Sequence, residues 1–244
     1  PRFVETGSIS RCTRAQTYSP IALGDHLTER SELDAYRVML RALDFGCGSG
    51  RSTRLLRRLG FRTTGVDISA EMIKLAREAD PDGDYRLIGA DGLALFPSGS
   101  EDLVLSAFAF DNVPTRDRKV SLFANLGRLL APEGRIVSVV SSPELYVHEW
   151  ASLSTSPFPE NRTARPGDTV RTIITDIEDR SPIDDVLWPD ENYREVYREA
   201  GLEVERVDRP LATGEEPFAW VSETRIAPWV IYVLRRAGWR GRAG

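Results

Sequence analysis

Cysteine, histidine and methionine are scarce, with two of each in 244 residues. Cys12 and Cys47 cannot build the disulfide framework of a small secreted fold, so a reducing, cytoplasmic location is expected. No Cys or His grouping has metal-ligand spacing, and no metal is expected. No stretch approaches the roughly 18 consecutive apolar residues of a membrane span. The first residues, Pro1 to Ser8, lack the apolar core of a signal peptide. Positive charge is also short: the net charge is −5. That argues against a general phosphate-binding surface, because nonspecific nucleic-acid affinity needs clustered cations. Internal repeats and low-complexity tracts are missing as well.

What is present suits one α/β domain with an insertion: 41% of the residues are hydrophobic, enough for a sizeable core. Residues 1–40 read as an irregular segment with a helical stretch from about Ser31. From residue 41 to 140 strand and helix alternate. Ala42–Phe45 is a short apolar strand. Gly50–Leu59 reads as a helix stopped by Gly60. Arg62–Val66 is the next strand, and Ser69 is placed to cap a helix carrying Met72, Ile73, Leu75, Ala76 and Ala79. Asp84–Ile88 and Asp102–Ser106 follow as strands, the latter continuing into the apolar Ala107–Phe110. Asp117–Leu130 has Val120, Phe123, Leu126 and Leu130 spaced for one helix face. Pro132, Glu133 and Gly134 then turn the chain into Arg135–Val140. Such alternation implies a parallel sheet covered by helices on both faces.

The alternation stops at Ser141. Residues 141–189 hold no good helix, which is unusual within a compact domain unless the stretch has its own structure or function. Thr169–Ile177 is β-branched and reads as extended. Residues 190–244 complete the sheet: a helix near Asp190–Ala200, ended by Gly201, then strands at Leu202–Val207 and Trp229–Leu234. Joined without a crossover helix, those two strands are antiparallel neighbours.

The most informative run is residues 43–50, Leu-Asp-Phe-Gly-Cys-Gly-Ser-Gly. An apolar strand ends in Asp44, glycines alternate at 46, 48 and 50, and a helix begins at once. Glycine permits the sharp turn and brings backbone close to a ligand. The dinucleotide fingerprint needs a glycine where Arg51 stands. A carboxylate before the glycines suits a cationic ligand better than a pyrophosphate.

In this run the chain resembles the class I S-adenosylmethionine-dependent methyltransferases. Asp44 to Gly50 matches their first motif, and Gly65-Val-Asp-Ile-Ser69 looks like their second. Asp91, followed by Gly92, matches the acidic position after the third strand. Leu126 to Gly134 resembles the approach to their fifth strand, with Glu133 where a glycine is common. The resemblance is specific over about residues 40–140 and continues to the end only as an order of elements. It implies a single Rossmann-like, doubly wound α/β sheet, mostly parallel with an antiparallel final strand, and an aromatic-rich lid after the fifth strand. The cofactor implied is S-adenosyl-L-methionine, with S-adenosyl-L-homocysteine as product. By the same likeness, Asp44, Gly46, Cys47, Gly48 and Gly50 line its methionine end. Helix N-terminal amides near Arg51 and Ser52 favour its carboxylate. Asp67 accepts from the ribose hydroxyls, Ile68 and Met72 flank the adenine, Asp91 and Gly92 meet the adenine amino group, and Ser106 and Ala107 sit under the methyl donor.

For the acceptor the sequence offers candidates only. All five tryptophans lie at position 150 or later. Within the insertion, Trp150 and Trp188 are candidates for the wall of an apolar pocket, together with Phe110. Asp111 and Asn112 are placed to orient an acceptor by hydrogen bonds, or to form an Asx turn before Pro114. His148, shortly after the fifth strand, is the candidate general base. Tyr18 is a candidate to fold over the cofactor. Gly167 with Pro157, Pro159 and Pro166 could bound a mobile segment. The expected acceptor is a small, partly apolar molecule methylated on O, N or C by a monomer or homodimer. The alternatives are RNA or protein as acceptor, a cofactor-binding protein of the same fold that does not methylate, and, more distantly, a nicotinamide oxidoreductase. Residues 110–114 lack the Asn/Asp-Pro-Pro-aromatic motif used on exocyclic base amines.

Overall fold

The computed structural model describes residues 40–238; the expected N-terminal helix and Tyr18 lie outside that range. Five strands alternate with helices in the first half. They are β1 (Arg41–Phe45), β2 (Arg62–Asp67), β3 (Asp84–Leu87), β4 (Glu101–Ala107) and β5 (Leu130–Ser141). Helix α1 (Arg51–Arg58) follows β1, α2 (Ala70–Ala79) follows β2, and α3 (Arg116–Leu129) precedes β5. Then come the short strands β6 (Leu153–Ser154), β7 (Thr169–Ile174) and β8 (Ile183–Val186). Helix α4 (Asp190–Glu199), β9 (Leu202–Asp208) and β10 (Trp229–Arg236) close the fold.

Seven strands form one sheet in the order β3-β2-β1-β4-β5-β10-β9. The first five pair in parallel, and β10 runs antiparallel to both neighbours. From β1 the chain steps outward to β3, then returns to lay β4 on the other side of β1. The order therefore reverses between β1 and β4. Ligands of open α/β sheets bind at such a reversal, outside the carboxyl ends of the strands.

Alternation along the central strands sorts their side chains between two faces. Ala42, Leu103, Leu105, Val137, Val139 and Ile231 pack with Leu56 of α1. Leu43, Val104, Ile136 and Val140 pack on the opposite side with Phe123 and Leu126 of α3 and with Tyr193, Val196 and Tyr197 of α4. Helix α2 begins where the sequence reading placed it, with the Ser69 hydroxyl accepting from the Met72 amide at 3.3 Å. Thr115 caps α3 in the same way. At α4 no side chain caps the helix. Pro189 holds the cap position and Asp190 is the first helical residue. There its carboxylate accepts from the Tyr232 hydroxyl and pairs with Arg194.

Two strand boundaries depart from the sequence reading: β5 begins at Leu130 and not at Arg135, and β4 ends early. Strand β4 stops at Ala107 and does not run on to Phe110. Phe108 turns with φ of 62°, and Ala109–Asn112 form a 3-10 turn. No glycine marks that turn, so the apolar run alone resembles a longer strand.

Residues 141–189 are ordered by their own small sheet, β6-β7-β8. A cluster of Leu145, Tyr146, Trp150, Val170 and Leu187 packs beneath it. The loop between β9 and β10 is bound to this insertion. Buried Glu223 accepts from the amides of Ala151, Val221 and Ser222, and the Ser142 hydroxyl donates to the Ala227 carbonyl.

Candidate functional site

Two turns face each other at the reversal point. The first follows β1. Its amides at Gly46 and Cys47 both donate to the Val66 carbonyl of β2, at 2.9 and 3.0 Å. Gly46 has φ of 73°, and a Cβ there would lie 2.4 Å from the Cβ of Ala109. Gly50, also left-handed, packs against the Tyr85 ring. These two glycines are required by space as well as by dihedral angle. The second turn follows β4 and brings Ala109 against Gly46. Phe108 is the only non-glycine residue with positive φ among the described residues. Its amide donates to Val139 of β5 at 2.8 Å.

Asp44, fully buried at the end of β1, anchors the first turn to α1. Its Oδ2 accepts from the Ser52 and Thr53 hydroxyls at 2.7 and 2.6 Å. The other oxygen, Oδ1, is buried and has no hydrogen-bond partner among the described residues. Burial pushes this carboxyl up to about 6, against the lowering effect of Thr53 and Ser52. Nearby Asp67 adds to the rise. An oxygen buried without a donor is costly. A ligand cation or ammonium above the glycine turn supplies such a donor, directly or through water.

Asp67, at the end of β2, binds the turn from its other side. Oδ2 accepts from the Gly48 amide at 2.9 Å and Oδ1 from the Ser69 amide at 2.8 Å. Each carboxylate oxygen keeps a second lone pair, so ribose hydroxyls can still be accepted. Next to it Ile68 is 61% exposed, an aliphatic surface without cover on the rim of the site. Met72 is buried beneath. Asp91 is exposed at the start of the 3-10 turn Gly92–Leu95, and buried Gly92 packs against Ile88. These residues give one edge of the sheet a row of acceptors, with an apolar shoulder beside it. The donor set fits S-adenosylmethionine: an unpaired buried carboxylate oxygen for an ammonium, a second carboxylate for a diol, and glycine backbone between them.

Cys47 is buried in the same turn. Burial and the neighbouring Asp44 and Asp67 push its thiol well above the ordinary range, so it is a packing residue there and not a nucleophile. Ser106 is fully buried, its hydroxyl without a partner among the described residues.

The aromatic candidates for the acceptor lie elsewhere than at an open wall. Phe110 is fully buried and stacks on Phe123 with centroids 3.8 Å apart. Trp150 is buried in the insertion's own cluster, and its indole N–H donates to the Leu145 carbonyl at 2.8 Å. Trp188 belongs to the main core, with the Lys119 ammonium 5.3 Å from its ring. Asn112, by contrast, is exposed at the end of the β4 turn. His148 lies on the insertion, partly exposed, with Nε2 3.2 Å from Glu144.

A buried polar cluster that the sequence reading did not single out lies behind the β4 turn. It contains Asp111, Lys119, Tyr146, Asp185 and Tyr193. One signal was available: Lys119 stands four residues before Phe123, on the apolar face of α3. Among the described residues no group of His, Cys, Asp or Glu is arranged to hold a metal ion, and no helix is long and apolar enough to cross a membrane.

Comparison with known proteins agrees with this geometry. Residues 43–138 match a family model described as a methyltransferase domain. A ubiquinone biosynthesis O-methyltransferase of Xanthomonas oryzae pv. oryzae is 32% identical over 122 residues, 48% of this chain and 48% of the relative. The chain thus spans about half the length of that relative. An N-demethylindolmycin N-methyltransferase of Streptomyces griseus is 27% identical over 163 residues, 66% of this chain and 68% of its own. An S-adenosylmethionine-dependent methyltransferase structure from Mesorhizobium loti superposes with a TM-score of 0.58. It is 22% identical, covering 86% of this chain and 100% of that one, a likeness of fold. With the glycine turn, the two strand-end carboxylates and the strand order in place, residues 43–138 form a methyltransferase domain.

Proposed function

We propose that this chain transfers a methyl group from S-adenosylmethionine to O, N or C of a small, partly apolar molecule. The observation that carries the cofactor assignment is the pair of strand-end carboxylates clamped on one glycine turn: Asp44 with an unpartnered oxygen, Asp67 with spare lone pairs. When bound, the cofactor supplies a sulfonium methyl group already activated toward nucleophiles. The residues of the chain then have the work of binding and alignment, which accounts for much of the acceleration when reacting atoms are held in line. Asp44 takes the ammonium, Asp67 the ribose diol, and the glycine turn admits the methionyl end. Ile68 covers the adenine on one side, and Asp91 accepts from its amino group.

The two sequence relatives are named for an O- and an N-methylation of small molecules, which supports a small acceptor for this chain. Residues 141–189 form the wall beside the acceptor and act as its lid. Asn112 is the exposed residue assigned to orient it, while Phe110, Trp150 and Trp188 stiffen that wall from within. For a hydroxyl or amine acceptor, His148 is the residue assigned to remove the proton, its ring turned by Glu144. Free small molecules are the substrates on this reading, not nucleic acid. The working form is a cytoplasmic monomer or homodimer, the compartment argued from the low cysteine content.

Isothermal titration tests the cofactor assignment. S-adenosylhomocysteine should bind the wild-type chain and NAD should not. Asp67→Ala should weaken the binding at least about tenfold, the equivalent of about 1.4 kcal/mol. Preference for NAD, or equal affinity in Asp67→Ala, would refute it.

A further inference from the structure

The turn after β4 is held from behind by charges that cofactor binding leaves unexplained. Asp111 is 3% exposed. Its Oδ2 accepts from both the amide and the hydroxyl of Ser141, at 3.0 and 2.8 Å, which fixes the turn to the end of β5. The Tyr193 hydroxyl of α4 stands 3.4 Å from Oδ1. One residue earlier in the turn, the Phe110 carbonyl accepts from the Lys119 ammonium of α3. That ammonium is fully buried between the rings of Trp188 and Tyr193, 5.3 and 5.4 Å from their centroids. A second carboxylate, Asp185 of β8, acts on the same ammonium and accepts from the Tyr146 hydroxyl at 3.2 Å. Three core elements and the insertion therefore converge on four residues, Phe108 to Asp111.

Buried opposite charges are a poor device for stability alone, because well-packed apolar residues of similar volume often do as well or better. What such groups can fix is position. The turn they hold contains Phe108, in a backbone conformation that residues with a side chain avoid. Such a conformation persists only where its surroundings over-determine it, and these cases cluster at functional sites. Ala109, the next residue, presses on Gly46 of the cofactor turn.

We infer that Asp111 is a positioning residue for methyl transfer: with Ser141 and Lys119 it sets the turn after β4 against the cofactor turn, and Lys119, shared with Asp185, ties the insertion to that turn. This rests on the methyltransferase reading above. Asp111 touches neither the cofactor nor the acceptor on this account; it acts through the backbone of Phe108 to Phe110.

The test uses S-adenosylmethionine carrying a 13C methyl group, with affinity measured by titration and the bound methyl resonance by NMR. The variants are Asp111→Asn, which removes the charge, and Ser141→Ala, which removes one donor and leaves the charges in place. Both should bind the cofactor within about threefold of wild type. Both should move the bound methyl resonance toward that of the free cofactor, Asp111→Asn further than Ser141→Ala. A merely structural residue would lower the melting temperature and leave that resonance in place. Should Asp111→Asn fail to fold, Ser141→Ala decides alone. Unchanged resonances in the folded variants overturn the inference, and so does a loss of affinity of about tenfold or more, which would put Asp111 in cofactor binding itself. A wild-type chain that binds no cofactor would overturn the methyltransferase reading first, and the inference with it.

Discussion

Asp44 has two oxygens in different circumstances, one accepting two hydroxyls and the other buried without a donor. Its carboxyl, lifted to about 6 by burial, favours the folded chain while protonated. That contribution is lost as the pH rises through about 6. Cofactor binding has the opposite sign, because an ammonium needs the ionised form. Affinity for S-adenosylmethionine should therefore be full above about 6 and fall as the pH drops below it, by up to about tenfold per unit. Asp44→Asn should bind weakly with that slope gone; titrations between pH 5 and 8 check it, and an equal slope in the variant would contradict it. Gly46 gives a second prediction at this scale. Alanine there combines a left-handed backbone with a contact at 2.4 Å to Ala109. Gly46→Ala should cost about 2–4 kcal/mol of stability, measurable by urea unfolding, and weaken the cofactor as well. The places of Asp44, Asp67 and the glycines were legible in the sequence because each sits beside a local signal: a strand end, a turn, a helix start. Asp111 was read with Asn112 as facing an acceptor, and its burial was not legible, because its partners Ser141 and Tyr193 are 30 and 82 residues away along the chain.

Elements show the same division. The strands of the main sheet stand close to where hydrophobic pattern and turn residues put them, except that β5 begins at Leu130 and takes in the residues read as the turn before Arg135. The turn after β4 departs too, since nothing in Ala107–Phe110 marks a left-handed residue. The insertion was legible as a break in alternation and as one extended stretch, Thr169–Ile177, which holds β7. Its β6-β7-β8 sheet is made of strands of two to six residues, too short for a periodic signature. Trp150 and Trp188 read as pocket candidates because they lie in the insertion, and both are buried in packing. Phe123 tests how α3 supports the site. It stacks on Phe110 of the turn and meets Tyr197 edge-on. Phe123→Ala should destabilise by about 3–5 kcal/mol, with chemical denaturation as the measure. The tie between the insertion and the core makes its own prediction. Burial, with Asp111 next in effect, pushes the Asp185 carboxyl up to about 7. Its protonated form suits the fold, and that contribution fades as the pH rises through about 7. Asp185→Asn is neutral at every pH. Relative to wild type, its melting temperature should be higher at pH 8 than at pH 5, by at least about 2 °C. A difference that does not change with pH would separate Asp185 from the buried charge balance.

At the scale of the molecule, strand order explains where the site is. Reversal between β1 and β4 opens one crevice at the carboxyl edge of the sheet, and the two turns that line it meet at Gly46 and Ala109. The insertion and the β9–β10 loop are joined through Glu223, and the proposed acceptor site is assigned to their side. The sequence carried the sheet order through its resemblance to a family and carried the acceptor hardly at all, since that side is built from long-range contacts. The central claim is methyl transfer to a small molecule. Incubation of the purified chain with trideuteromethyl S-adenosylmethionine and an extract of the source cells, followed by mass spectrometry of the small-molecule, RNA and protein fractions, tests it most directly. The account predicts a new labelled small molecule that is lost with Asp67→Ala. Label confined to RNA or protein, or no label in any fraction while the cofactor is bound, would contradict it.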